Sequence, residues 1–178
     1  TLAVLQGVPA FSYSGSITAT KNSAITTKSP SSTGGTITSC SSSPTLPTGL
    51  SLSSGCAISG TPTVVASSAS YTITGSNAAG SSDAAITIQV NDILPSFSYS
   101  SSLVVTQGTA ITNHVPVNTG GAITSCTSTT SLPSGLSLTS NCTVTGTPTA
   151  TQSATNYTIQ GTNSGGTIVI ENSQFDGN

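Results

Sequence analysis

Pro9 to Gly80 can be laid on Pro95 to Gly166 at a constant offset of 86 residues, without a gap, and 38 of the 72 aligned positions are identical. PAFSYS matches PSFSYS, TGGTITSC matches TGGAITSC, LPTGLSL matches LPSGLSL, and YTITGSN matches YTIQGTN. Solenoid and propeller units repeat at roughly 20–50 residues, so this period is too long for either. It suits an independent sandwich of about seven short strands joined by frequent turns. The chain of 178 residues therefore reads as two tandem domains: residues 1–8 are an N-terminal strand and linker, 9–92 the first repeat and 93–178 the second. The joining stretch QVNDILPSF is short, which predicts a fairly stiff rod rather than a loose tether.

The apolar residues come in short alternating bursts such as SLVV, AITIQV, YTIQG and GTIVI, and nowhere follow the 3.6-residue spacing of a helix over ten residues. Thr, Val, Ile and Tyr suit a pleated, half-buried surface, so the fold class is all-β. In each repeat FSYS opens the first edge strand, and AITTKSP or AITNHVP forms the second. TITSC or AITSC makes a central strand, followed by LSLSS or LSLTS and then CAISG or CTVTG before a GTP turn. SYTITGS and NYTIQGT are the strongest strands, and N-A-A-G or N-S-G-G turns the chain into the last one.

Composition removes several functions. Ser and Thr account for 68 residues, whereas only Lys21, Lys28, Asp83, Asp92, Glu171 and Asp176 are charged. Two cations cannot neutralise a run of phosphates, which excludes nucleic acid as a partner. They form no basic patch for anionic lipid. No apolar run approaches the roughly 20 residues of a helical membrane span, so membrane insertion is not expected.

Four cysteines, at 40, 56, 126 and 142, form two pairs of identical spacing related by the same offset. The simplest connectivity is Cys40–Cys56 and Cys126–Cys142, one staple per domain across the LP-x-GL loop. A zinc site would want closely spaced pairs, and C-x-x-C is absent. Paired disulfides imply an oxidising, extracellular compartment.

The run LPTGLSL…CAISGTPT…YTITGSNAAG…AITIQV, with its second copy, resembles the putative Ig (He-PIG) repeat of bacterial cell-surface proteins, a family related in shape to cadherin-like sandwiches. The resemblance covers nearly the whole chain. It implies two exported Ig-like β-sandwich domains, lends no catalytic residues, and implies no cofactor. One departure stands out: Cys56 and Cys142 occupy a position where the family usually has Gly.

Titratable groups do not converge in sequence. Lys21 aligns with Gln107, Lys28 with His114 and Asp83 with Val169, so no pair of carboxylates repeats and neither a glycosidase dyad nor a general acid–base pair can be assembled. No G-x-S-x-G marks a serine nucleophile. His114, the sole histidine, reads as an exposed strand or loop side chain. Asp92 in the linker is a thin candidate for calcium, which wants six or more oxygens. Lys21 or Lys28 with an Asn and Asp83 is a thin candidate for an isopeptide bond in repeat one, and repeat two has no lysine. Asn141-Cys-Thr and Asn156-Tyr-Thr fit the N-glycosylation pattern, as chance allows in a Ser/Thr-rich chain. Phe11/Phe97, Tyr13/Tyr99 and Tyr71/Tyr157 repeat in pairs, which marks them as core or corner residues, while Phe175 has no counterpart.

Both ends depart from the repeat at the same place. Ile86, Ile88 and Val90 alternate as a half-buried closing strand, but at the 86-residue offset stand Asn172, Gln174 and Asp176. Extended backward, the offset sets Leu2 on Ile88 and Val4 on Val90. This predicts a second domain short of its closing strand, with an acceptor edge at Ile168 and Ile170, and a spare donor strand carrying Leu2 and Val4. Donor-strand addition between subunits would then build a head-to-tail extracellular filament or pilus-like fibre. Two blander readings stand beside it. Ile168 and Ile170 could match Ile86 and Ile88 after a four-residue deletion, and TLAVL could be the tail of another repeat in a longer protein. The corresponding functions are the stalk of a cell-surface adhesin, or a module whose end loops bind a glycan or protein ligand on a host or surface. An enzyme is not expected.

Overall fold

A computed structural model describes the backbone of residues 5–177 and the side chains of residues 5–171. The described residues contain strands and turns and no helix, and they divide into two compact units between Asn91 and Asp92.

Unit 1 holds β1 (Phe11–Ser12), β2 (Ile17–Thr20), β3 (Ser31–Ser32), β4 (Ser39–Ser43), β5 (Leu50–Leu52), β6 (Ile58–Gly60), β7 (Ala66–Asn77) and β8 (Gly80–Asn91). One sheet has the order β2-β8-β7-β4, with β2 parallel to β8 and the other pairs antiparallel. The opposing layer joins β1 to β3 and β5 to β6. Residues 25–32 link those two ladders, because the Ile25 N–H donates to the Gly60 carbonyl and Lys28 exchanges backbone bonds with Ile58. The sandwich that results follows from period-two patterning. Tyr71 and Ile73 on β7, with Ile86, Ile88 and Val90 on β8, turn inward between outward Thr72, Ala85 and Thr87. With Ile17, Ala19, Cys56 and Ile58 they form one core.

Unit 2 repeats the plan with β9 (Phe97–Ser98), β10 (Leu103–Val105), β11 (Val117–Asn118), β12 (Ser125–Ser128), β13 (Leu136–Leu138), β14 (Val144–Gly146), β15 (Gln152–Asn163) and β16 (Gly166–Gly177). Its large sheet runs β10-β16-β15-β12, and its core gathers Phe97, Cys142, Val144, Tyr157 and Ile159.

Two expectations are corrected. The TITSC and AITSC strands are not central: β4 and β12 each end their sheet and pair on one side only, with β7 and β15. The second strand is not AITTKSP or AITNHVP: after FSYS pairs through β1 with β3, the chain crosses to lay β2 (Ile17–Thr20) beside β8, and unit 2 does the same with β10, while Lys28 and His114 make only isolated bridges.

The same pin ties the chain leading into each unit. The Asn77 amide donates to the Gly7 carbonyl at 2.9 Å, while its oxygen accepts the Ala79 N–H at 2.8 Å and closes the β7–β8 turn. Asn163 does the same with the Ile93 carbonyl at 2.7 Å and the Gly165 N–H at 2.7 Å. Gly35 lies so close to this segment that an added Cβ would sit 1.9 Å from the Gly7 oxygen. At Gly121 the corresponding distance, to the Ile93 oxygen, is 2.0 Å.

Candidate functional site

The chemistry-bearing residues of each unit collect around its disulfide. Cys40 on β4 bonds Cys56 in the turn before β6, with Cα atoms 5.4 Å apart, and Cys126 bonds Cys142 at 5.2 Å. Both expected bridges are present. Cys56 and Cys142 are fully buried, and each holds a left-handed backbone, with φ of 64° and 65°. That conformation suits Gly and is costly for a residue with a Cβ. It gives a physical reason for the glycine usual in the family at this position, and for the departure here: cross-linking requires a side chain. The carbonyl of Cys56 accepts a hydrogen bond from the Tyr13 hydroxyl, and that of Cys142 from Tyr99. Burial pushes the Tyr13 phenol up to about 12 and raises Tyr99 as well. Phe11 meets Tyr13 edge-on at 6.2 Å. Gly75 on β7 faces the same cluster, where an added Cβ would lie 2.7 Å from Phe11 Cε1 and 3.2 Å from Cys56 Sγ. These groups staple, cap and fill. None is set to attack or to move a proton.

The other candidate residues are dispersed. Asp83 accepts a hydrogen bond from the Thr74 hydroxyl across the β7–β8 ladder at 2.6 Å, as a surface pair. Asp92 spends an oxygen on the N–H of Ile93 at 2.9 Å, and its own N–H donates to the Ser164 hydroxyl at 2.8 Å. Among the described residues no three His, Cys, Asp or Glu side chains gather as metal ligands. His114 corrects the expectation of an exposed side chain: it is half-buried, bridged to Val144, and stacked on Tyr99 with centroids 4.9 Å apart and planes 9° apart. Sequence reasoning missed this stack because Lys28, its counterpart, carries no ring.

The donor and acceptor positions fare differently. Leu2 and Val4 lie outside the described residues. The second domain is not short of a closing strand. β16 has twelve residues, as β8 does, and its end pairs in parallel with β10, as β8 does with β2. Ile168 and Ile170 face Gly161 and Ile159 on β15 and pack against the core, in the register of Ser82 and Ala84. No four-residue deletion is therefore present. The ladder instead steps from Ile159↔Ile170 to Tyr157↔Ser173, so β16 carries one extra residue in a β-bulge. Beyond it Ser173, Phe175 and Gly177, not Asn172, Gln174 and Asp176, hold the register positions of Ile86, Ile88 and Val90.

A shallow groove runs beside each disulfide turn. In unit 1 it holds about 500 Å³ between Pro30, Ser32, Ile37, Ser53 and Ala57. In unit 2 Val115, Asn118 and Asn141 take the positions of Ser29, Ser32 and Gly55, and about 240 Å³ remains. No ionisable side chain lines either groove.

The comparisons concern this framework. The family profile described as Putative Ig domain matches residues 8–91 and 94–174. No curated protein sequence is detectably similar to the chain. Among solved structures, a three-domain Ig fragment of titin, I67–I69, superposes with a TM-score of 0.56 at 15% identity, covering 97% of this chain and 66% of that one. Sidekick-1 immunoglobulin domains 1–4 give 0.59 at 12% identity, over 100% of this chain and 51% of the other. Extracellular domains 3–5 of Drosophila OTK give 0.55 at 12% identity, over 95% and 62%. The chain thus spans between half and two thirds of these relatives. At such identities the likeness is one of fold, tandem Ig-like domains in series.

Proposed function

The chain belongs to the Putative Ig domain family, and from that premise we propose that it is a structural spacer, a tandem segment of the stalk of an exported cell-surface protein. The observation that carries the reading is the division of labour within the repeat. Positions that the two units share are the core, the disulfide, the tyrosine cap and the strand glycine beside it: Phe11/Phe97, Tyr13/Tyr99, Cys56/Cys142, Tyr71/Tyr157, Ile73/Ile159 and Gly75/Gly161. Positions that could carry chemistry are those that differ, among them Lys28/His114, Asp83/Val169 and, in the grooves, Ser29/Val115, Ser32/Asn118 and Gly55/Asn141. Two units built to the same framework with unlike surfaces serve length and stability rather than a common ligand. The disulfides and the Ig-like fold fit an extracellular setting.

The pin at each unit's start supports a serial array. Gly7 and Val8 meet Asn77 and Gly35 as Ile93 and Leu94 meet Asn163 and Gly121. By the 86-residue offset, Leu5 and Gln6 take the sequence positions of Asn91 and Asp92, at the end of the β8 closing strand. A head-to-tail filament built by strand donation is the less favoured assembly, because its acceptor place in unit 2 is taken by β16. The stalk reading is tested by screening the intact chain against glycan and extracellular-protein arrays. Absence of binding at micromolar concentration is expected, and a saturable ligand competing at either groove would replace the spacer role with a recognition role.

A further inference from the structure

We propose that each unit is a load-bearing element: β2 and β8, or β10 and β16, form a clamp loaded in shear, and the disulfide limits the chain released when the clamp breaks. The inference rests on the stalk reading and adds what the stalk does, which is to carry tension. In unit 1 the clamp pairs Ile17 with Ile88, Thr18 with Gln89, Ala19 with Val90 and Thr20 with Asn91, in parallel. The Lys21 N–H adds a bond to the Asn91 carbonyl at 2.8 Å. Tension on the chain ahead of the unit draws β2 toward its start, and tension on the chain behind draws β8 toward its end. In a parallel pair these pulls oppose each other along one axis, so the bonds of the ladder share the load together. The antiparallel β7–β8 hairpin, pulled at its open end, would surrender its bonds one at a time. A strained bond also breaks more easily where water can replace it. Ile17, Ala19, Ile88 and Val90 are only 7, 5, 0 and 0% exposed, which keeps water from one face of the clamp. Unit 2 repeats the parallel arrangement from Leu103↔Phe175 to Val105↔Gly177, and the bulge in β16 is what brings those residues into line.

Each disulfide lies between the two clamp strands in sequence, inside the stretch that rupture sets free. Cys40 and Cys56 are separated by 16 residues and held at 5.4 Å. Extended at about 3.6 Å per residue, the same segment would span roughly 58 Å. The bridge therefore withholds about 50 Å of extension from each unit.

The test is single-molecule force spectroscopy on the full chain held by its ends, with and without reductant, against a control in which unit 1 is pulled between positions 65 and 92, the open end of the hairpin, so that β8 peels from β7. Forced rupture reads the unfolding barrier, which is the quantity the clamp is proposed to raise. The expected result is an end-to-end rupture force at least twofold above the peeling force, and an increment per unit that lengthens by about 50 Å on reduction. Should reduction unfold the units before loading, the Cys40→Ala/Cys56→Gly chain is stretched instead, and one increment of two lengthens. Equal forces in the two geometries, or increments indifferent to the bridge, overturn the proposal. Low force without any ligand on the arrays removes the clamp and leaves the spacer reading standing. A ligand on the arrays removes the spacer reading while the force ratio still judges the clamp.

Discussion

Removing the first disulfide in two ways separates the cross-link from the backbone that carries it. The bridge closes a segment of 16 residues, for which the chain-entropy model gives roughly 3 kcal/mol of stabilisation. Cys56 holds φ at 64°, a conformation that costs a residue with a Cβ about 1 kcal/mol relative to glycine. Cys40→Ala/Cys56→Ala loses the cross-link and keeps the backbone cost, so it should fall by about 3 kcal/mol. Cys40→Ala/Cys56→Gly loses the same cross-link and relieves the backbone, leaving a net loss of about 2 kcal/mol. The Tyr13 bond survives in both, because it is made to the carbonyl of residue 56. For a unit of this size 1 kcal/mol moves Tm by about 4–8 °C. The Ala variant should therefore melt roughly 12–24 °C below the parent in its first unit, and the Gly variant about 4–8 °C above the Ala variant. Differential scanning calorimetry of the full chain reads this directly, with unit 2 and its intact bridge as internal reference. If the Gly variant is no more stable than the Ala variant, the left-handed backbone is not what distinguishes this position and the explanation of the cysteine-for-glycine exchange fails.

Further outcomes follow from single positions. Gly75→Ala drives a methyl to within 2.7 Å of Phe11 Cε1 and should cost about 1–3 kcal/mol as overpacking, as should Gly161→Ala, measured by chemical denaturation. The Ser82 hydroxyl is buried without a hydrogen-bond partner where unit 2 has Ile168, so Ser82→Val should raise stability by about 1 kcal/mol; a loss would mean that the hydroxyl has an unrecognised partner. The folded Tyr13 phenol stays protonated to about 12, whereas an unfolded tyrosine ionises near pH 10. Its contribution is thus intact below pH 10 and lost as the pH rises toward 12. Tyr13→Phe should flatten that alkaline decline in the first unit's Tm while lowering Tm at pH 7.

Much of the fold could be read from residues because the repeat supplied its own control. A cysteine pair that recurs at the same offset pointed to one bridge per unit, and Ile86, Ile88 and Val90 alternating with Thr87 and Gln89 declared a closing strand. The end of the second unit was misread for a specific reason. Gapless alignment assumes a regular ladder, and one extra residue in a strand swaps inward and outward positions from there on. The bulge after Ile170 turned an ordinary closing strand into an apparent defect, and the filament idea grew from that defect. Layer changes were likewise hidden, since nothing in FSYSGSITAT marks that Phe11 pairs with Ser32 while Ile17 pairs with Ile88. The position of Cys56 was visible as a departure from the family pattern, but its cause, a positive φ, is a property of the backbone that only coordinates supply.

The central claim is that each unit is closed by a strand of its own, β8 in the first and β16 in the second. Sedimentation equilibrium of the full chain across micromolar to millimolar concentration tests it most directly. A single species at the 17.3 kDa monomer mass throughout is the predicted result. Concentration-dependent polymers that vanish when residues 1–6 are deleted would contradict it and restore assembly by strand donation.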